Sequence, residues 1–308
     1  VDEGVEKLKE KDIQVDEIDF PIDLQRLHDT HRMIMGVDAA SYHKDSFSKN
    51  ADKYQLYEKS VQSVDFEVEF IERMFKKYRR GTCLDIREDF CATASISAAW
   101  VKSNKKKKAY AIDLERKILN VARKTIEKSL SEEQSMRLKL IHGNSQIQET
   151  KKVDSVIAMN FSYWVFKERN SLSKYFLNAY KHLKNKGIFI LDAFGGYEAH
   201  QELEERTKYK DFTYVWDQHR FNPVNHDITC YIHFEFRNGS KMKRAFKYDW
   251  RLWSLPEITE CLKGVGFTSI EIYMQGWDKK NDCESDKFYR VTRCDADPGW
   301  IAYIVALK

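Results

Sequence analysis

At four places in the chain a short apolar run hands over to a polar or aromatic residue, and each handover suits a nucleoside-like ligand. Glu88 closes the first run, Asp113 the second, Asn144 with Ser145 the third, and Asn160 with Phe161 the fourth. Ligands of an open parallel sheet sit beyond the carboxyl ends of its strands. A carboxylate there compensates an ammonium removed from water. A second acid roughly 20 residues further on is placed to grip ribose hydroxyls, and Asp113 follows Glu88 at about that offset. Between them, Cys91-Ala-Thr93 is a turn of small residues leading into an apolar stretch that ends near Trp100. Small side chains let a ligand approach the backbone, and a helix N-terminus offers unpaired N–H groups.

These residues need a scaffold, and the apolar periodicity predicts one. Strands are expected over 82–88, 108–113, 138–142, 153–159 and 188–191, with Lys186-Gly187 as a turn before the last. Helices are expected over 115–130 and 172–183. Short, nearly continuous apolar strands alternating with helices predict a parallel sheet covered on both faces. Residues 51–78 read as a helix, because Tyr54, Tyr57, Val61, Val64, Val68, Ile71, Met74 and Phe75 recur at helical spacing. That helix either packs on the sheet edge or, through its first half around Tyr57, covers a ligand on the central site.

From Asp211 to Trp253 the pattern changes to strands over 212–216, 228–236 and 242–250, with Arg237-Asn-Gly-Ser240 as a hairpin turn. Ser254-Leu-Pro-Glu257 opens a helix as a capping box, and Gly266-Phe267 ends it. Strands over 269–273 and 300–306 follow, with a charged loop between them. The expected division is an N-terminal extension (1–50), a core (51–210), an antiparallel lid insertion (211–253) and the C-terminal part of the core (254–308).

Composition sets bounds on partners. A hydrophobic fraction of 42% supports a packed core. A net charge of +4 from 52 basic and 48 acidic residues is a mixed surface, unlike the concentrated basic face of a nucleic-acid binder. The run from Lys105 to Lys108 reads as a solvated turn. Six scattered cysteines lack metal-ligand spacing and read as free thiols of a reducing compartment. No metal site is expected; His28 and His31 share a helix spacing without a third ligand. No apolar run approaches membrane-spanning length. The cytoplasm is the default expectation, with an organelle left open because the chain begins at Val1.

On these residues the chain resembles class I S-adenosylmethionine-dependent methyltransferases over about residues 50–308. It is most similar to a subfamily whose first motif reads Arg-Glu-Asp-Phe-Cys-Gly-Thr in place of Asp-x-Gly-x-Gly-x-Gly, standing here as Arg87-Glu-Asp-Phe-Cys-Ala-Thr93. Asn160-Phe-Ser-Tyr-Trp-Val-Phe166, Trp216-Asp-Gln218 and Tyr248-Asp-Trp-Arg-Leu-Trp253 belong to the same likeness. The resemblance implies a Rossmann-like seven-strand α/β sheet with an N-terminal helical cover and an antiparallel lid, and S-adenosylmethionine as cofactor. It further implies that Glu88 binds the methionine amino group, with Asp85 as the alternative acid. Cys91, Ala92 and Thr93 would pass the carboxypropyl end, Asp113 would take the ribose hydroxyls, Leu114 would pack on adenine, and Asn144 would bond adenine N6. Asn144 reads equally well as a turn-forming asparagine. Ala92 stands where the pattern has Gly, and Phe90 and Ala94 also fall on glycine positions. A positive φ at Ala92 would cost about 1 kcal/mol.

A small polar substrate is expected, methylated on nitrogen or oxygen. Tyr163 and His226 are the candidate catalytic residues, and Trp164, Asp192, Trp216, Gln218, Arg251 and Trp253 the candidate substrate contacts, with His233 beside them on the insertion. The aromatic members read equally as the insertion's own core. Arg251, set among tryptophans, suits a carboxylate or phosphate. RNA or protein methylation, and a non-catalytic cofactor-binding role, are the alternatives.

Overall fold

The computed structural model describes residues 48, 50–61, 63–278 and 283–308. His28, His31 and nearly all of the expected extension over 1–50 lie outside the described residues. The first five strands are β1 (Asp85–Asp89), β2 (Lys108–Asp113), β3 (Leu138–His142), β4 (Val153–Ala158) and β5 (Leu183–Gly195). They pair in parallel in the order β5-β4-β1-β2-β3. The chain later returns to this sheet with β10 (Ser269–Asp278), β11 (Cys283–Val291) and β12 (Trp300–Leu307). β12 runs antiparallel between β5 and β10. The result is the expected Rossmann-like sheet of seven strands, with β11 added as an eighth at the edge.

β11 lies where a charged loop was expected. Its buried Phe288, Tyr289 and Val291 are interrupted by Arg290, which hides the apolar run. The expected Lys186-Gly187 turn falls inside β5. Lys186 has φ 65°, and the pairing slips from Val153↔Leu183 to Ser155↔Ile188, a bulge that lets the strand continue.

The expected helix over 51–78 is two helices, α1 (Lys53–Val61) and α2 (Val64–Arg79). With α3 (Ser95–Ser103) and α4 (Arg116–Ser129), α2 covers one face of the sheet. Phe70, Ile71, Trp100 and Ala122 pack there on Ile86, Ile157, Ile190 and Val305. The short α5 (Glu132–Ser135) leads into β3. On the other face, α6 (Arg169–His182) and α7 (Leu255–Gly264) set Leu172, Phe176, Ile258 and Leu262 against Phe189, Leu191 and Ile304. Successive β5 residues thus serve opposite layers, as a strand buried on both faces requires, and each fully buried large side chain is worth roughly 1.5–3 kcal/mol. α7 begins with the expected capping box: Ser254 and Glu257 bond each other's backbone N–H, with Pro256 in the first turn.

A second sheet of β6 (Leu203–Lys208), β7 (Phe212–Asn222), β8 (Asp227–Phe236) and β9 (Lys241–Arg251) is antiparallel throughout. β6 was not expected: five of its six residues are exposed, so no alternation marks it. Leu56, Tyr57 and Val61 of α1 pack on Phe212, Ile232 and Phe234 of this sheet. The lysine run contains a second departure. Lys107 is only 2% exposed, with its ammonium over the Trp100 ring at 3.6 Å and paired with Glu72. Among the described residues no helix is long and apolar enough to cross a membrane. Five described cysteines are free, four of them buried.

Candidate active site at the carboxyl ends of the strands

The turn after β1 has an alternating backbone. Phe90, Ala92 and Ala94 take φ values of 58°, 47° and 57°, so three side-chain-bearing residues sit in the left-handed region that glycine favours. The turn is held by its neighbours: the Cys91 N–H donates to Ile112 O at 2.9 Å, and the Ala94 N–H donates to Cys91 O at 2.6 Å. Glu88 lies just ahead of it, 4% exposed, and accepts the Ser97 N–H at 2.9 Å and the Ser97 hydroxyl. Burial pushes the Glu88 carboxyl up to about 7 against those two bonds, and Asp113 and Asp89 add to the rise. Asp85 pairs instead with Lys184 at 2.6 Å.

Asp113 closes β2 and accepts the Ala92 N–H at 2.9 Å and the Glu115 N–H at 2.8 Å. Leu114 beside it is 67% exposed. Asn144 accepts the Gln146 N–H on Oδ1 at 2.9 Å, which is the turn-forming role. Ser145 is buried, and its carbonyl takes N–H bonds from Arg87 at 3.0 Å and Asn178 at 2.8 Å. Arg87 and Asp89 are wholly buried inside the central strand and paired at 2.8 Å, and the Tyr175 hydroxyl donates to Asp89 at 3.0 Å. This network joins β1 to the turn after β3. Arg87 and Asp89 stand in the first motif without a role, because a buried ion pair leaves no periodic mark.

After β4, Asn160 and Phe161 both have positive φ, 57° and 56°. Their N–H groups donate to the two Asp192 carboxylate oxygens at 2.7 and 2.8 Å, so Asp192 holds this turn from the neighbouring strand. Burial pushes the Asp192 carboxyl up to about 7 against those bonds.

Several expected contacts are core residues in the structure. Tyr163 is fully buried and donates its hydroxyl to the Asp192 carbonyl at 2.8 Å, which leaves it no free face for catalysis. Trp164 and Trp253 are at most 1% exposed, and Gln218 spends its amide on the Glu198 and Gln201 carbonyls, both at 3.0 Å. Arg251 pairs with Glu257 at 2.8 Å, donates to Lys167 O at 3.1 Å and stacks on Trp253 at 3.9 Å, while its buried Nε has no hydrogen-bond partner among the described residues. His233 lies between Asp217 and the Arg244 N–H. His226 occupies the β7–β8 turn at φ 60°, its ring against Phe221 and His200. Trp216 keeps part of its surface and packs edge-on to Phe194.

α1 joins the turn after β1 to the second sheet. Glu58 accepts the Ser95 hydroxyl at 2.8 Å, while Lys53 donates to Ala245 O at 3.1 Å on β9. The Tyr57 ring meets Phe246 at 5.0 Å, and its hydroxyl lies within the electrostatic reach of Asp192 and Glu67. Glu67, on α2, was not singled out in the sequence. It is 3% exposed, its Oε2 has no hydrogen-bond partner among the described residues, and burial, Asp192 and Glu88 together hold its carboxyl well above the usual range. The concavity of about 610 Å³ lined by Thr82, Leu84, the end of α3 and the loop over 104–106 lies at the opposite end of β1.

No protein-family profile and no curated protein matches the chain. Solved structures do. An S-adenosylmethionine-dependent methyltransferase from Clostridium acetobutylicum ATCC 824 is 18% identical with a TM-score of 0.61, over 82% of this chain and 97% of that one. CalS10, an amino pentose methyltransferase from Micromonospora echinaspora, is 11% identical with a TM-score of 0.57, over 82% and 100%. The sugar N-methyltransferase KedS8 from Streptoalloteichus sp. ATCC 53650 is 14% identical with a TM-score of 0.55, over 89% and 98%. At these identities the likeness is one of fold, and the chain has the Rossmann-like fold of these methyltransferases.

Proposed function

We propose that this protein transfers a methyl group from S-adenosylmethionine to a small polar molecule, with nitrogen as the acceptor atom. The carrying observation is the pair of strand-end carboxylates, Glu88 and Asp113, flanking a turn whose backbone alternates through the left-handed region. The residues present fit the cofactor. Glu88 is buried, and among the described residues it bonds Ser97 alone, which suits an ammonium. Asp113 keeps carboxylate lone pairs for ribose hydroxyls, and the exposed Leu114 gives adenine an apolar face. Bound there, S-adenosylmethionine would supply an electrophilic methyl group with a neutral thioether as its leaving group.

The protein's own part is alignment and exclusion of water. α1 and the second sheet close over the strand ends, and Trp216 and His226, which keep exposed surface, are the lid-side contacts we assign. Nitrogen is favoured because the similar structures include a sugar N-methyltransferase and an amino pentose methyltransferase. Calorimetry with S-adenosylhomocysteine tests the cofactor, and an absence of binding would sink the proposal.

One observation favours a second reading, that of a non-catalytic cofactor-binding protein. Side chains at Phe90, Ala92 and Ala94 burden the turn that must admit the cofactor. Tight binding without turnover across a pool of small amines would select it.

A further inference from the structure

Resting on methyl transfer as the activity, we infer that Glu67 and Asp192 form the acceptor site, and that it takes a small amine that is a cation at neutral pH. Three carboxylates on separate elements are buried, Glu67 on α2, Glu88 on β1 and Asp192 on β5, at 3%, 4% and 5% exposure, and Glu67 lies within the electrostatic reach of the other two. The Phe66 ring, one residue before Glu67, meets the Tyr303 ring at 5.6 Å. Two of the three carboxylates already have hydrogen-bond partners within the fold. Glu88 is held by Ser97, and Asp192 by the Asn160 and Phe161 amides. Glu67 differs, because its Oε2 is buried without a partner among the described residues. An unpaired carboxylate oxygen in the interior is costly, and that cost points to a ligand that supplies a donor.

The surroundings specify the donor's charge. The charged groups acting on Glu67 are the carboxylates of Asp192 and Glu88, and the tyrosines whose hydroxyls feel both Glu67 and Asp192 are Tyr57 of α1 and Tyr303 of β12. Tyr303 is the direct cross-strand partner of Asp192. Carboxylates with aromatic walls attract an organic cation and repel an anion. Among the described residues no three such side chains are gathered closely enough to hold a metal ion.

Glu67 also has a chemical task. An ammonium has no lone pair for attack, so its N–H bond must break, the proton passing to Glu67 Oε2 and the electron pair staying on nitrogen. Burial and its acidic neighbours raise the proton affinity of this carboxyl, and a cation bound against it opposes that rise, so Glu67 meets the ammonium as a carboxylate and takes the proton as the amine attacks.

The test uses benzylamine and its uncharged counterpart benzyl alcohol, titrated into the full chain saturated with S-adenosylhomocysteine. Benzylamine should bind at least tenfold more tightly, and Glu67→Gln should remove that preference while leaving S-adenosylhomocysteine affinity within twofold. Equal binding of the two probes overturns the inference. So does a Glu67→Gln variant that loses S-adenosylhomocysteine as severely as the amine, since Glu67 would then serve the cofactor. If the unmodified chain binds no S-adenosylhomocysteine, methyl transfer fails by itself, and the amine preference measured without it still decides the site. If Glu67→Gln does not fold, the probe pair on the unmodified chain decides.

Discussion

The Asp113 carboxylate accepts the Ala92 N–H at 2.9 Å, so the acid at the end of one strand holds the turn at the end of its neighbour. The same carboxylate takes the Glu115 N–H on its other oxygen at 2.8 Å, fixing its plane across the mouth of the turn. One side chain thus orders the turn after β1 and faces the position proposed for the ribose.

Asp113→Ala should weaken S-adenosylhomocysteine binding by at least tenfold, read by calorimetry. Two hydrogen bonds from ribose to a charged acceptor are lost, each worth about 1.5–3 kcal/mol. The unliganded chain should also lose stability, because the Ala92 and Glu115 N–H groups lose their partner. An unchanged affinity would remove Asp113 from the cofactor site.

Ala92→Gly should stabilise the fold by about 1 kcal/mol in urea denaturation and tighten S-adenosylhomocysteine binding. At φ 47° the alanine methyl is strained in a way glycine is not, and this outweighs the extra freedom that glycine has when unfolded. The control is Ala98→Gly within α3, which should destabilise by roughly 0.5–1 kcal/mol.

The parallel half of the sheet was legible because its strands are apolar runs, and β1 to β4 fall close to where the pattern puts them. β6 and β11 were not legible: one is exposed and the other is interrupted by charge, so neither alternates. The left-handed turn was legible only as a condition on Ala92, since composition does not set φ. Glu67 left a signal that went unused. It falls on the apolar stripe of α2, three residues after Val64 and four before Ile71, where a charge belongs only if something pairs with it. Tyr163 and Arg251 misled in the opposite direction, because aromatic and cationic residues that suit a ligand also suit a core that must satisfy its own hydrogen bonds.

S-adenosylhomocysteine affinity should rise with pH up to about 7 and level off above it. Burial pushes the Glu88 carboxyl from 4.5 to about 7, so below that pH the ammonium must displace a proton. The slope should approach tenfold per pH unit with one proton released, as calorimetry in buffers of different ionisation enthalpy reads it, and Glu88→Gln should flatten it. In the unliganded chain the sign is reversed. A carboxyl raised on folding contributes stability below its unfolded value, and that stability is lost as pH rises through about 7. Thermal denaturation of the unliganded protein should show that loss, and S-adenosylhomocysteine should reduce it.

Asp89→Asn should cost about 3–5 kcal/mol, because it leaves the wholly buried Arg87 guanidinium without its counter-charge. Equilibrium urea denaturation with an unchanged slope measures it. A cost below 1 kcal/mol would mean that the Ser145 and Gln148 carbonyls, which accept from Arg87 at 3.0 and 2.9 Å, suffice to hold the charge.

Tyr163→Phe separates a catalytic tyrosine from a structural one. Its hydroxyl donates to the Asp192 carbonyl at 2.8 Å in a fully buried setting, and burial holds the phenol far above its ordinary value, so it is not a source of phenolate at neutral pH. Removing the hydroxyl leaves a buried carbonyl one donor short, which costs roughly 1–3 kcal/mol of stability. S-adenosylhomocysteine affinity should stay within twofold, and turnover with an amine acceptor should hold its rate and its pH profile. A hundredfold loss of turnover with binding intact would return Tyr163 to the chemistry, and would require the Asp192 strand end to open enough for a substrate to reach it.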